Sequence, residues 1–357
     1  MAKLTRKDPH RWGDVVVGPG ESAHVKLTVH ESYSGLTLPI PLVVRRGPEP
    51  GPVVFVTAAL HGDEINGTGT IRELIRPETM PLARGTLILV PVLNILGFDR
   101  HERYLPDRRD LNRVFPGTSK GSLASRMARA IFEQIVGRAD LGIDLHTAAL
   151  RRTNFPCVRA DMNNPRVAEL ARAFGAEVIM HGLGPAKSLR REAVAAGCAV
   201  IVLEAGEVWK VEPSVVRHAV RGVRNLLGHL DMIDAPSIEP PYQVVIRKTK
   251  WIRAERGGFL QFHVAPGQIV RAGNALATNT DLLGQTQNVL DAPFDAVVLG
   301  MTTIPATSPG EPICHLGELT DEYQDVVAAR EALDADSLHE RVRGDLATSL
   351  LITEGGH

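Results

Sequence analysis

The sequence predicts an α/β fold, a three-layer α/β/α domain followed by a smaller all-β domain, and three observations carry that expectation. From Pro52 to about residue 230, short continuous apolar runs alternate with stretches of helical period. The runs at 53–56, 87–90, 141–145 and 200–203 lack the polar alternation of a half-exposed sheet, as expected of inner strands covered on both faces. After a proline-rich stretch at 234–241, the chain turns glycine-punctuated and strand-like. With 357 residues and 44% hydrophobic content, it can bury the cores of two domains.

Between residues 14 and 45, apolar and polar residues alternate, as in His24-Val25-Lys26-Leu27-Thr28-Val29, which predicts antiparallel strands near a sheet edge. Helical periods are expected at 67–75, 123–136, 165–174 and 213–230. The resulting division is a catalytic α/β domain with its amino-terminal strands at 1–235, an all-β domain at 242–318, and a helical or partly disordered tail at 319–357. In an open α/β sheet the functional site is expected at the carboxyl ends of the strands.

Charge narrows the partners. The 40 basic and 41 acidic residues nearly cancel, so no global field attracts nucleic acid or an anionic membrane surface. The first ten residues are charged and lack the apolar core of a signal peptide, and no apolar run is long enough to span a bilayer, so a cytoplasmic location is expected. Cys157, Cys198 and Cys314 form no CxxC pair and are expected as buried thiols rather than ligands. Exposed β edges and a helical tail would suit a homo-oligomer.

The chemistry concentrates where apolar runs end. The first run leads into His61-Gly62-Asp63-Glu64, which places an imidazole and a carboxylate close together. Two near ligands and one distant in sequence are a common pattern for catalytic zinc, which keeps a fourth position open. His146, at the end of the run 141–145, is the distant candidate, and Asp144 can orient it from behind. A third run ends in Glu204-Ala205-Gly206, where a glutamate can take a proton from water and return it to a leaving nitrogen. Taken singly, each of these residues is more simply a capping histidine or a solvated glutamate; their common placement at strand ends favours a metal centre. The intervening loop, 100–113, is dense in arginine. A solvated loop accounts for Arg108 and Arg109, whereas Arg103 and Arg113 can pair with a carboxylate or an oxyanion, and Asn112 can add a neutral hydrogen bond.

His61-Gly62-Asp63-Glu64, Asp110-Leu111-Asn112-Arg113, Asp144-Leu145-His146 and Glu204-Ala205-Gly206, in this order, resemble the succinylglutamate desuccinylase/aspartoacylase family of the zinc carboxypeptidase clan. The resemblance spans about residues 40–230 and implies a zinc-carboxypeptidase-like fold. It implies one Zn2+ per chain on His61, Glu64 and His146, Glu204 as general base, and Arg103 polarising the scissile carbonyl. It further implies that Asn112 and Arg113 bind a substrate carboxylate, with Arg190 of Ser188-Leu189-Arg190-Arg191 as a further family arginine. The glycine-rich segment resembles the barrel-sandwich fold of biotinyl and lipoyl domains, but residues 254–357 contain no lysine to carry a cofactor. That segment is expected to shape the mouth of the site or to make subunit contacts.

The expected function is therefore hydrolysis of an amide bond in a small anionic N-acyl amino acid, releasing a carboxylic acid and a free amino acid. A metallocarboxypeptidase acting on peptides would use the same residues. A non-catalytic binding protein would not need all four of His61, Glu64, His146 and Glu204.

Overall fold

Four parallel strands form the centre of the computed structural model, which describes residues 6–31, 37–76, 80–320, 323–347 and 350. A two-residue ladder, β1 (Arg11–Trp12) and β2 (Val15–Val16), precedes the antiparallel pair β3 (Ser22–Glu31) and β4 (Thr37–Arg46). Then come β5 (Glu49–Ala58), α1 (Asn66–Ile75), β6 (Arg84–Val90), the single-turn α2 (Ile95–Phe98) and α3 (Leu123–Gln134). They are followed by β7 (Leu141–His146), β8 (Arg152–Ala160), α4 (Pro165–Phe174), β9 (Val178–His181), α5 (Leu189–Ala195), β10 (Ala199–Glu207) and α6 (Pro213–His229).

Strands β6, β5, β7 and β10 lie side by side and parallel. The antiparallel pair β4 and β3 extends one side, with β3 outermost, where Val25 and Val29 are buried and His24, Lys26 and Thr28 are exposed, as the alternation predicts. The central strands alternate between two cores. Val54, Val56 and Ala58 of β5 join side chains of α1, α4 and α6, whereas Val53 and Phe55 join α3 and α5. This is the three-layer packing that continuous apolar runs require, since each face must be covered.

Helix boundaries follow local chemistry. Asn164 caps α4 by accepting from the Arg166 and Val167 amides, Pro165 opens it, and Gly175 closes it in the left-handed conformation. Ser122 and Ser188 cap α3 and α5 in the same way. The sequence reading passed over β8, β9 and α5. Polar residues and Pro156 interrupt β8, and β9 and α5 are only four and seven residues long, too short for periodicity to register.

The strand-like segment is formed by β11 (Val244–Ile246), β12 (Thr249–Arg253), β13 (Gly258–Phe262), β14 (Ile269–Val270), β15 (Ala275–Thr280), β16 (Thr286–Asp291), β17 (Ala296–Thr302), β18 (Ala306–Thr307) and β19 (Pro312–Glu318). Only part of it keeps a sheet of its own. β10 takes one edge of β8, and the other edge of β8 is shared: residues 157–160 pair with β9 and residues 152–154 with β17. Through β17, the strands β19 and β12 continue the central sheet, while β16, β15, β13 and β18 form a separate four-stranded sheet. A third core, including Leu260, Phe262, Leu276, Val298 and Leu316, fills the space between them. The chain continues into α7 (Tyr323–Glu331) and α8 (Leu338–Ala347), whose Val326, Val342 and Leu346 pack into the core of α6. The last residues of the expected tail, 351–357, lie outside the described residues.

Cys157, Cys198 and Cys314 are buried and free, and burial pushes each thiol up to about 12. Among the described residues, no helix is long and apolar enough to cross a membrane.

Under α8 lies Glu177, which is only 1% exposed. Its carboxylate meets His218 at 3.0 Å and Arg221 at 3.5 Å. Burial pushes its pKa up, but His218, His339 and Arg221 outweigh burial and hold it below the usual carboxylate range. Glu177→Ala strands these partners and is expected to destabilise the fold by about 3–5 kcal/mol, measured by denaturant unfolding. A depressed carboxylate contributes stability above its unfolded pKa and loses it as pH falls through the folded one. The melting-temperature advantage of wild type over Glu177→Gln should therefore hold from about pH 7 to pH 5 and shrink as pH falls below about 5.

Candidate active site

The carboxyl ends of β5, β7 and β10 bring together residues far apart in sequence. Parallel register sets Thr57 opposite Asp144, Val202 opposite Asp144 and Glu204 opposite His146. Just beyond β5, Ala59 takes a positive φ and the chain turns into His61. Gly62 then packs so tightly under α2 that a Cβ there would lie 2.1 Å from the Gly97 carbonyl carbon. Only glycine permits the close approach that seats the His61 loop.

His61, Glu64 and His146 are all buried, and one ligand atom of each lies within 4.8 Å of the others. Both imidazoles turn Nδ1 toward Glu64, at 2.7 Å from Oε1 for His61 and 2.8 Å from Oε2 for His146. Their Nε2 atoms face away, to Asp110 at 3.1 Å and Asp144 at 2.8 Å. Asp144 is itself held by the Thr57 hydroxyl at 2.7 Å. A carboxylate on Nε2 fixes a proton there, so Nδ1 is the nitrogen that can turn a lone pair inward once the proton it shares with Glu64 is displaced, the arrangement that metal-binding histidines use.

Charge agrees with that geometry. Burial lowers His146, but Asp144 and Glu64 outweigh it and hold its pKa well above the usual histidine value. His61 is raised against burial by Glu64 and Asp110. Burial pushes Glu64 up, yet His61 and His146 hold it well below the usual range. Three carboxylates, Glu64, Asp110 and Asp144, thus surround the two imidazoles. Two imidazole nitrogens and one carboxylate also match the donor set of a catalytic zinc site that leaves a position open. The sequence pattern named Asp144 as the rear support of His146; the same service of Asp110 to His61 was not anticipated. Asp110 opens the 3-10 turn Leu111–Arg113, accepting from the Asn112 amide at 2.8 Å, and also accepts from Arg103 at 3.2 Å. Its place before Leu-Asn-Arg as an N-cap was the available signal.

A cleft of about 540 Å³ opens over the cluster and takes in Arg103, Asn112, Arg113, Arg190 and Glu204. Arg103 donates to Glu64 Oε1 at 2.9 Å, so it adjoins the cluster directly. Glu204, beside His146 on the neighbouring strand, faces Arg159 at 3.2 Å and the Asn154 amide at 3.4 Å. Gly206, with φ of 75°, leaves room for the side chains of Glu212 and Asn66, which a Cβ there would strike. Asn112 accepts from the Leu189 amide at 2.8 Å, and Arg113 is exposed and donates to the Asn112 carbonyl. Arg190 is 8% exposed, and among the described residues its Nη1 has no hydrogen-bond partner. Burial and then Arg159 bring its pKa down to about 10, so it remains a cation at neutral pH. All eight residues singled out in the sequence thus line one cleft. Arg159 was missed, because β8 was not recognised as a strand.

The strands of the carboxyl-terminal segment reach the same cleft, where Thr249, Trp251 and His315 form part of its wall. The expectation that this segment shapes the mouth of the site matches its position.

A model of the succinylglutamate desuccinylase/aspartoacylase catalytic domain matches residues 50–230. The chain is 26% identical over 263 residues to N-alpha-acetyl-L-2,4-diaminobutyric acid deacetylase of Halomonas elongata, covering 70% of this chain and 76% of that relative. Among solved structures, a succinylglutamate desuccinylase/aspartoacylase from Rhodobacter sphaeroides superposes with a TM-score of 0.73 at 24% identity, over 87% of this chain and all of that one. The product-bound ectoine utilization protein EutE (DoeB) of Ruegeria pomeroyi also gives 0.73, at 23% identity over 88% of this chain and all of that one. At such identities these structures establish the shared fold. The match across half of the chain, centred on the strands that carry the cleft, establishes more: the protein belongs to the succinylglutamate desuccinylase/aspartoacylase family.

Proposed function

We propose that the protein is a zinc-dependent deacylase of N-acyl amino acids. The observation that carries this reading is the convergence of His61, Glu64 and His146 beside Glu204 in a cleft that also buries Arg190, whose Nη1 has no hydrogen-bond partner among the described residues. The Halomonas relative, named for removing an acetyl group from a diamino acid, supports the reaction class.

His61 and His146 would hold the metal through Nδ1 and Glu64 through its carboxylate. Zinc bound there supplies Lewis acidity toward the scissile carbonyl and makes water more acidic at its open position. Glu204 takes the proton of the attacking water as the new carbon–oxygen bond forms. Arg103 stabilises the negative charge that gathers on the former carbonyl oxygen. Glu204 then passes the proton to the amide nitrogen as the carbon–nitrogen bond breaks, giving a carboxylic acid and a free amino acid. Arg190, with Arg113 and Asn112, orients the substrate through its α-carboxylate. Arg159 holds the Glu204 carboxylate in place between steps.

Glu204→Gln is expected to cut turnover by at least about 100-fold while the protein keeps its metal, measured by a ninhydrin assay beside elemental analysis. Full activity in that variant would remove Glu204 from the mechanism. Chelation should abolish hydrolysis and zinc should restore it. If dipeptides were cleaved in preference to N-acyl amino acids, the site would be a carboxypeptidase's. Asp144→Asn deprives His146 of its anionic support and should weaken zinc binding about 10–100-fold in competition with a chromophoric chelator. Arg190→Ala should raise KM about tenfold or more, since it removes a charge-assisted contact to the carboxylate.

A further inference from the structure

The separate sheet β16-β15-β13-β18 ends in an edge at β16. β16 pairs with β15, and among the described residues no strand pairs with its other side. Such an edge presents backbone amides and carbonyls that a further strand can satisfy, and proteins commonly blunt it with lysine, proline or a bulge. β16, Thr-Gln-Asn-Val-Leu-Asp, contains neither lysine nor proline. A bulge at Gln287 interrupts its first half and leaves residues 288–291 as a straight run.

The face beside this edge is nearly bare of charge. Strand register places Phe259, Gln261, Thr278 and Val289 on the outer side, while Leu260, Phe262, Ala277 and Leu290 turn into the third core. In a chain that is 23% charged, Asp291 is the only charged residue of the four strands. Phe259 and Val289 are exposed, and in the turn that leads into β16, Leu282 and Leu283 are 91% and 86% exposed. Depletion of charge combined with exposed apolar side chains marks the core of an interface rather than a solvated surface.

We infer that two copies of this chain join antiparallel through β16, so that their small sheets become one continuous sheet across a two-fold axis. A second copy is the occupant that the charges favour. The net charge of −1 sets up no long-range repulsion between copies, and an uncharged edge can meet itself without opposing like charges.

The pairing rules also locate the axis. Residues directly opposite in an antiparallel pair share a face, so the axis passes through a residue and not between two. At Asp291 it would set two carboxylates against each other, at Leu290 it would set Asp291 against Val289, and at Asn288 it would centre the ladder on the bulge. At Val289 it pairs two valines, sets Leu290 opposite Asn288 and gives Asp291 the Gln287 amide. The same axis carries Leu282 and Leu283 toward Pro293 and Phe294 of the partner subunit, just past β16, so that each apolar tip covers apolar surface on the other copy.

Light scattering after size exclusion of the full chain at micromolar concentration should give twice the chain mass. Val289→Lys, which sets two ammonium groups on the axis, should raise the dimer dissociation constant at least about tenfold. Changing Leu282→Asp and Leu283→Asp together should do the same, by removing the apolar tip. Far-UV circular dichroism should stay that of wild type in both, since the altered side chains are exposed. Val289→Cys reports the axis without adding charge and carries the test if those variants fail to fold. Cys157, Cys198 and Cys314 are buried, so under mild oxidation Val289→Cys should run as a disulfide-linked pair, whereas Leu282→Cys, far along the joined strands from its counterpart, should not. A single-chain mass for the wild type would overturn the inference and leave this surface to a different protein. So would a dimer that Val289→Lys and the double change leave intact.

Discussion

A carboxylate as deeply buried as Glu64, at 2% exposure, costs several kcal/mol unless its charge is answered. The fold answers it with two imidazoles, one on each oxygen, together with Arg103 and the Thr147 amide. Each imidazole is in turn fixed from behind by an aspartate, and Asp144 by Thr57. Removing any member leaves another buried charge without its partner, so the loop after β5, the end of β7 and the turn at Asp110 are bound into one unit. That unit, more than any single residue, forms the floor of the cleft.

Sheet topology then determines what surrounds it. Parallel pairing of β5, β7 and β10 delivers three strand ends to one level, and the register that sets Glu204 opposite His146 brings the proposed base beside the ligand cluster. The antiparallel β8 returns along β10 and contributes Arg159, Asn154 and Arg152 to the wall. Because β8 shares its outer edge between β9 and β17, the carboxyl-terminal strands are joined to the catalytic sheet by backbone hydrogen bonds. Their contribution to the cleft, Trp251 and His315, therefore stands on the same continuous sheet as His146 and Glu204.

The parts legible in the sequence were those with local signatures. Apolar runs of strand length marked β5, β6, β7 and β10, and a polar residue at the end of such a run marked His61, Glu64, His146 and Glu204. Asp144 was legible because it stands two positions from His146 on the same strand. Arg159 and Arg152 were not, since β8 mixes polar residues and a proline and so carries no strand pattern. Asp110 stands in the motif Asp110-Leu111-Asn112-Arg113, yet its contact with His61, 49 positions away, has no trace in spacing.

By itself, then, the sequence determined the layer architecture and which polar residues stand at the strand ends that meet in the cleft, because hydrophobic periodicity and strand-end placement are properties of neighbouring residues. Which aspartate supports which histidine, which arginine is left unpaired, and how the glycine-rich segment meets the catalytic sheet were decided only by tertiary structure. Those facts depend on strand register and on the pairing of buried charges. Both are settled between segments tens to hundreds of residues apart, by which partners can satisfy one another once water is excluded.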